Sequence, residues 1–191
     1  MKTNIIHDIE TSYSRIIVCD MVTNNIESNS IEGCLRRKEE WHTTRVLLKE
    51  ICPQATIRYG ESGDPILEGS DKYSHISISH GAGKVAILLS NNLCGIDIES
   101  KNRHFDRIAT RFLNEKERSI ITKDLLPSAW SAKEAIFKYF KGKDIKFLSD
   151  FEITNFEDDN MIIMYKDTQY RVSVIDCKSY VLAYIAPTNL S

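Results

Sequence analysis

The chain has 191 residues, 42% of them hydrophobic and 27% charged, with a formal net charge of −2. A chain this long buries roughly 70% of its unfolded surface and needs no disulfide or metal staple to fold. The balanced charge excludes a general attraction to nucleic acid or an anionic membrane, so any anionic ligand must be met by a local cluster of Lys and Arg.

The five cysteines, Cys19, Cys34, Cys52, Cys94 and Cys177, are odd in number and widely spaced. They fit neither a disulfide framework nor a zinc ribbon, and point to a reducing compartment. Met1 to Glu10 carries charges where a secretory leader would be apolar. No stretch approaches the ~18 to 20 apolar residues of a membrane span. The expectation is a cytoplasmic protein.

Along the chain, Ile16 to Cys19 reads as a short apolar strand. Leu35 to about Ile51 reads as a helix with a polar face, stopped by Pro53. Tyr59 to Gly69 is rich in turn residues. Ile76 to Ser79, Val85 to Leu89 and Cys94 to Glu99 read as three strands, separated by Gly81-Ala82-Gly83 and Asn91-Asn92. They suggest an antiparallel meander.

Helical stretches follow at Phe105 to Phe112 and Glu115 to Ile121. The strongest helix runs from Ser128 to Lys141, with Pro127 before it and Gly142 after it. Phe151 to Thr154, Met161 to Tyr165, Tyr170 to Ile175 and Tyr180 to Ile185 read as closing strands. Segregated helices and hairpins without βαβ alternation predict an α+β fold. Helix plus antiparallel strands occurs twice, which suggests two similar halves, 1–94 and 95–191, each a helix packed on a small antiparallel sheet.

Gly95-Ile96-Asp97-Ile98-Glu99 is the most informative pentapeptide. Alternate residues of a strand share a face, so Asp97 and Glu99 project together with Cα atoms about 6.7 Å apart. Two carboxylates at that spacing can reach one hard cation, or can simply be the acidic face of a half-exposed strand. In Trp130-Ser131-Ala132-Lys133-Glu134-Ala135-Ile136-Phe137-Lys138, about 100° per residue puts Ala129, Ala132, Ile136 and Phe140 on one stripe. Glu134 and Lys138 lie nearly opposite, with Trp130 and Phe137 flanking Glu134. A partly desolvated Glu suits a metal ligand or a base of raised pKa. An exposed i,i+4 ion pair is the plain alternative.

In that order the two segments resemble the 4'-phosphopantetheinyl transferase superfamily, in its single-chain, two-half form. Ile76-Ser77-Ile78-Ser79-His80 is similar to the family's Ile-Ser-His strand end. Phe112 to Glu117 is similar to its Phe-x-x-x-Glu segment, and the helix bearing Glu40-Trp41 and Thr44-Arg45 to its N-terminal helix. The resemblance spans roughly Arg36 to Phe151. It implies a magnesium-dependent transfer of the 4'-phosphopantetheine arm of coenzyme A to a serine of an acyl or peptidyl carrier protein, by a monomer with its cleft between the halves.

The resemblance also implies roles. Asp97, Glu99 and Glu134 would hold magnesium, with Asp97, Glu134 and Lys138 as the catalytic group. Lys133 and Lys138 would meet the pyrophosphate of coenzyme A, while Arg45, Ser79 and His80 would serve the 3'-phosphate side. Glu134 is the first candidate for the base, with a metal-bound water or Lys138 as substitutes. Gly63-Asp64-Pro65 departs from the family's Gly-Lys-Pro, so affinity for coenzyme A should fall if that side chain touches it. Arg103, Arg107 and Arg111 recur every four residues and would form a basic stripe for an acidic carrier protein if helical. A silent relative that only binds, or a magnesium-dependent phosphohydrolase, are the competing readings.

Overall fold

The apolar runs build two antiparallel sheets, and the charged amphipathic segments cover them as helices. The computed structural model describes residues 3–22, 32–143 and 145–186, apart from the side chains of 32–35. The chain opens with a hairpin, β1 (Ile5–Glu10) and β2 (Ser14–Asp20), followed by helix α1 (Glu32–Ile51). A small hairpin, β3 (Thr56–Tyr59) and β4 (Pro65–Glu68), leads into β5 (His75–Gly81), β6 (Lys84–Ser90) and β7 (Gly95–Ser100). Short turns at α2 (Ala109–Phe112) and α3 (Glu115–Ile120) precede the long helix α4 (Leu126–Tyr139). The chain then finishes with β8 (Glu152–Glu157), β9 (Asn160–Tyr165), β10 (Thr168–Asp176) and β11 (Tyr180–Ile185).

The fold is α+β, with strand order β1-β2-β6-β5 in the first sheet and β7-β11-β10-β9-β8 in the second. Alternation along the strands explains how the layers stack. Ile17, Cys19, Val85, Ile87 and Leu89 face α1, where Leu47 and Leu48 meet them. The intervening residues Ile16, Val18, Ala86 and Leu88 pack against Ile96, Ile98 and Leu182 of the second sheet. The far face of that sheet, with Val181, Ala183 and Ile185, carries α4 through Ala129, Ala132, Ala135 and Ile136. Strands covered on both faces need apolar residues at every position, which is why Val85 to Leu89 is an unbroken run.

Three expectations change. The Cys94 to Glu99 strand does not extend the meander: β7 pairs with β11, Asp97 opposite Ala183, and only β5 and β6 pair as a hairpin. The edge of β7 instead meets the edge of β5, with the Ile96 and Ile98 amides donating to Ser77 Oγ (3.0 Å) and Ser79 Oγ (3.2 Å). Tyr59 to Gly69 holds half of a hairpin, with Pro65 at the first position of its strand, where no ladder donor is lost. The edge strand β1 was not foreseen, because its half-exposed, charged residues lack an apolar run. Cys19, Cys52, Cys94 and Cys177 are free thiols, while the Cys34 side chain lies outside the described residues. Among the described residues no helix is long and apolar enough to cross a membrane.

Two glycines set how closely the layers approach. A Cβ on Gly95 would lie 1.9 Å from the Ala135 carbonyl oxygen of α4, and one on Gly81 would lie 2.0 Å from that of Ile98. Both clashes are with backbone, which cannot swing aside. Gly95→Ala should therefore lower stability by about 3 kcal/mol, the upper part of the usual overpacking range. Chemical denaturation reads this directly, and a wild-type midpoint would contradict the close approach.

Candidate active site

Strand β7 turns Gly95, Asp97 and Glu99 toward α4, the first as empty space and the other two as carboxylates. Asp97 is only 5% exposed. Its Oδ1 accepts from Ser79 Oγ (2.8 Å) and from Lys138 Nζ (2.9 Å), and Lys138 also donates to the Ile96 carbonyl (3.0 Å). Asp97 Oδ2 is buried without a partner. A buried carboxylate oxygen left unpaired costs free energy on the scale of a lost charged hydrogen bond, so this atom marks a position suited to a cation.

Glu99 and Glu134 crowd the same region. Burial raises the Glu99 pKa and the Asp97 charge raises it further, against the pull of Arg103 and the nearby Trp130 indole. Arg103 Nη1 donates to Glu99 Oε1 at 2.5 Å, and its guanidinium lies 4.6 Å from the Trp130 ring centroid. Trp130 Nε1 itself is buried without a hydrogen-bond partner. Glu134 is pushed from its ordinary value of 4.5 to about 6, by burial first and by the Asp97 charge second, with Lys138 opposing. Three carboxylates that repel one another are a donor set a hard divalent cation would relieve. Among the described residues, however, no three or more acidic, His or Cys side chains are drawn together as metal ligands. Lys138 and Arg103 serve Asp97 and Glu99 as counter-ions instead.

The comparison with protein families bears on this strand and helix. Residues 93–185 match the 4'-phosphopantetheinyl transferase superfamily. The match supports phosphopantetheinyl transfer as the general class of activity. It takes in β7, α4 and the strands to β11, and so all three carboxylates; it leaves out α1 and the first sheet. A comparison with curated proteins finds no match.

The remaining expected residues divide into those at the cleft and those away from it. A cavity of about 350 Å³ opens between the first sheet and the end of α4, with Asp64, His75, His80, Lys138 and Lys141 among its walls. His80 Nε2 lies 2.9 Å from Thr44 Oγ1, whose hydroxyl donates to the Glu40 carbonyl (2.7 Å). That assigns the proton to His80 Nε2 and leaves Nδ1 as an acceptor. Burial and the Lys138 charge lower the His80 pKa, opposed by Glu40, so the ring is neutral near pH 7.

Ser79 is 5% exposed and its hydroxyl is fully used between Asp97 and Ile98. It positions the carboxylate and is not among the cavity's walls. Arg45 stacks on Trp41, 3.5 Å from the ring centroid, and is likewise absent from those walls. Arg103, Arg107 and Arg111 are exposed, but they do not share one helix: a 3-10 turn at Phe105–Ile108 separates Arg103 from the four-residue α2.

Lys133 is placed elsewhere. It is 0% exposed, donates to the Phe112 carbonyl (2.7 Å) and pairs with Glu117 Oε1 at 2.6 Å. Glu117 also accepts from the Asn114 and Ile153 amides (2.8 and 2.7 Å), tying α3 and β8 to α4. The step of one helical residue, about 100°, sends Lys133 into the core while Glu134 faces the carboxylates. The segment Phe112 to Glu117 is legible in the sequence; the pairing of Glu117 with Lys133 is not. No local pattern reports that Lys141 meets Asp64 or that Thr44 meets His80, since both contacts are made across the fold.

Two outcomes follow from these environments. Lys133→Met leaves Glu117 buried and uncompensated, which should cost about 3 to 5 kcal/mol in denaturation. Glu134 has a raised pKa in the folded state, so its favourable contribution is complete below about pH 4.5 and is lost as pH rises through about 6. Glu134→Gln should therefore be more stable than wild type above pH 7, by about 2 kcal/mol. Unfolding midpoints at pH 4 and pH 7.5 check this: an equal difference at both would exclude the titration.

Proposed function

We propose that this protein transfers the 4'-phosphopantetheine arm of coenzyme A to a serine hydroxyl of an apo acyl or peptidyl carrier protein and releases adenosine 3',5'-bisphosphate. The observation that supports it most is the unpartnered Asp97 Oδ2 beside two repelling carboxylates, at the side of a cleft bearing His80 and Lys138, within the segment matched to the superfamily. Asp97, Glu99 and Glu134 would hold one magnesium ion. When bound, that ion neutralises charge on the pyrophosphate and on the departing bisphosphate.

The chain's own groups do the rest. The serine oxygen forms a bond to the β-phosphorus as the bond to the bridging anhydride oxygen breaks, and the serine proton must leave. With no cation bound, the Glu134 carboxyl sits at about 6, and it is the first candidate to take that proton. Lys138 holds Asp97 in the absence of a cation and is freed to face the pyrophosphate when another charge takes its place. A phosphate arriving beside His80 raises the ring's pKa, and protonated Nδ1 then becomes a donor aimed away from Thr44. Arg103, already bonded to Glu99, lies where an acidic carrier protein would sense both surface and site, with Arg107 and Arg111 extending the positive charge. A single chain supplies both walls of the cleft, which supports a monomer.

Incubation with apo carrier protein, coenzyme A and Mg²⁺, followed by intact-mass measurement, should show the carrier gaining one phosphopantetheine arm. Glu134→Gln should reduce the rate by about 100-fold or more, as expected for loss of a proton acceptor. No mass gain across several carriers, with coenzyme A bound, would favour a silent relative; release of bisphosphate without a carrier would favour a hydrolase.

A further inference from the structure

The C-terminal end of α4 carries an unusual residue choice. After Phe140 the chain enters the left-handed region at Lys141 (φ 54°) and stays there at Gly142 (φ 63°). The Gly142 amide donates to Phe137 O (3.1 Å) and that of Lys141 to Lys138 O (3.0 Å), the two-bond closure in which the first left-handed residue is usually glycine. Here a lysine occupies it, against the steric preference of any residue with a Cβ. The backbone aims its side chain across the cleft, where Nζ stands 3.6 Å from Asp64 Oδ2 on the Gly60–Pro65 turn.

The contact is loose and half-exposed, with side chains 35% and 23% accessible. Lys138, the other lysine on these walls, is committed to Asp97 and the Ile96 carbonyl. His80 is neutral, and burial together with the Lys141 charge also lowers the His75 pKa. Asp64 is kept ionised by the Ser62 hydroxyl before Lys141 is considered. Lys141 is therefore a lysine that a ligand can recruit without uncovering Asp97, and Asp64 is a carboxylate that competes for it.

We infer that Lys141 is a further phosphate-binding cation of the cleft, with Asp64 its resident counter-ion, so that a nucleotide phosphate entering the cleft exchanges with Asp64 for Lys141. The inference rests on the reading of this cleft as the coenzyme A site. A strained lysine in place of glycine is accounted for if its charge is needed at that point, and strained backbone held by its surroundings is a recurrent feature of ligand sites.

Calorimetric titration with adenosine 3',5'-bisphosphate, without carrier protein or turnover, tests it on three variants. Lys141→Gly keeps the left-handed backbone and removes the charge: it should unfold at or above the wild-type midpoint yet bind about tenfold more weakly, the cost of one charged hydrogen bond. Asp64→Asn should bind about three- to tenfold more tightly by removing the competitor. The double variant should match Lys141→Gly, because Asp64 acts through Lys141. Wild-type affinity in Lys141→Gly, or weaker binding in Asp64→Asn, overturns the inference while leaving the cleft as a nucleotide site. Failure of the wild-type protein to bind either the bisphosphate or coenzyme A overturns the reading of the cleft and the inference with it.

Discussion

Asp97 sits where the edges of two sheets meet, and its burial there constrains much of what surrounds it. A carboxylate 5% exposed must be compensated from every side. Ser79 reaches it from the first sheet and Lys138 from α4, so two sheets and the helix converge on one side chain. The same serine takes the Ile98 amide, one of the edge donors of β7 that β11 does not use. Register between the sheets and placement of the carboxylate are thus one arrangement: sliding β7 by a residue would bury Ile98 beside Lys138 and turn Asp97 into the apolar layer of Ile16, Val18 and Leu88.

The compensation is incomplete, and incompleteness is what gives the site chemical potential. Asp97 Oδ2 lacks a partner, while Glu99 and Glu134 are both held toward their neutral forms by burial and by the Asp97 charge. Each destabilises the folded protein near neutral pH, and each would be relieved by a divalent cation. Lys138 and Arg103 partly offset the repulsion meanwhile. Nearby, Lys133 and Glu117 form a fully enclosed pair whose carboxylate also receives the Asn114 and Ile153 amides. That network fixes the rotation of α4, and through it the direction in which Glu134 points.

The cleft shows the same economy of charge. Its cations are either neutralised, as at His80, or already engaged, as at Lys138 and Lys141. An anion entering there would meet lysines that already have carboxylate partners.

Much of this was legible in the sequence. Alternation and apolar runs marked most of the strands, Pro127 and Gly142 marked the two ends of α4, and Gly-Ile-Asp-Ile-Glu put both carboxylates on one face, because strand and helix periods are local properties of the backbone. The α+β class followed from the order of elements. Tertiary structure decided the rest. β7 joined β11 and not β6, since strand pairing across 80 residues leaves no local trace. Lys133 and Glu134 parted company because only packing tells which face of a helix is enclosed. Ser79 and Lys138 became counterparts of Asp97, and Lys141 of Asp64, because a long side chain's partner is set by what lies across the fold. The sequence by itself therefore determined where carboxylates and lysines sit along strand and helix, and the fold determined which of them face one another.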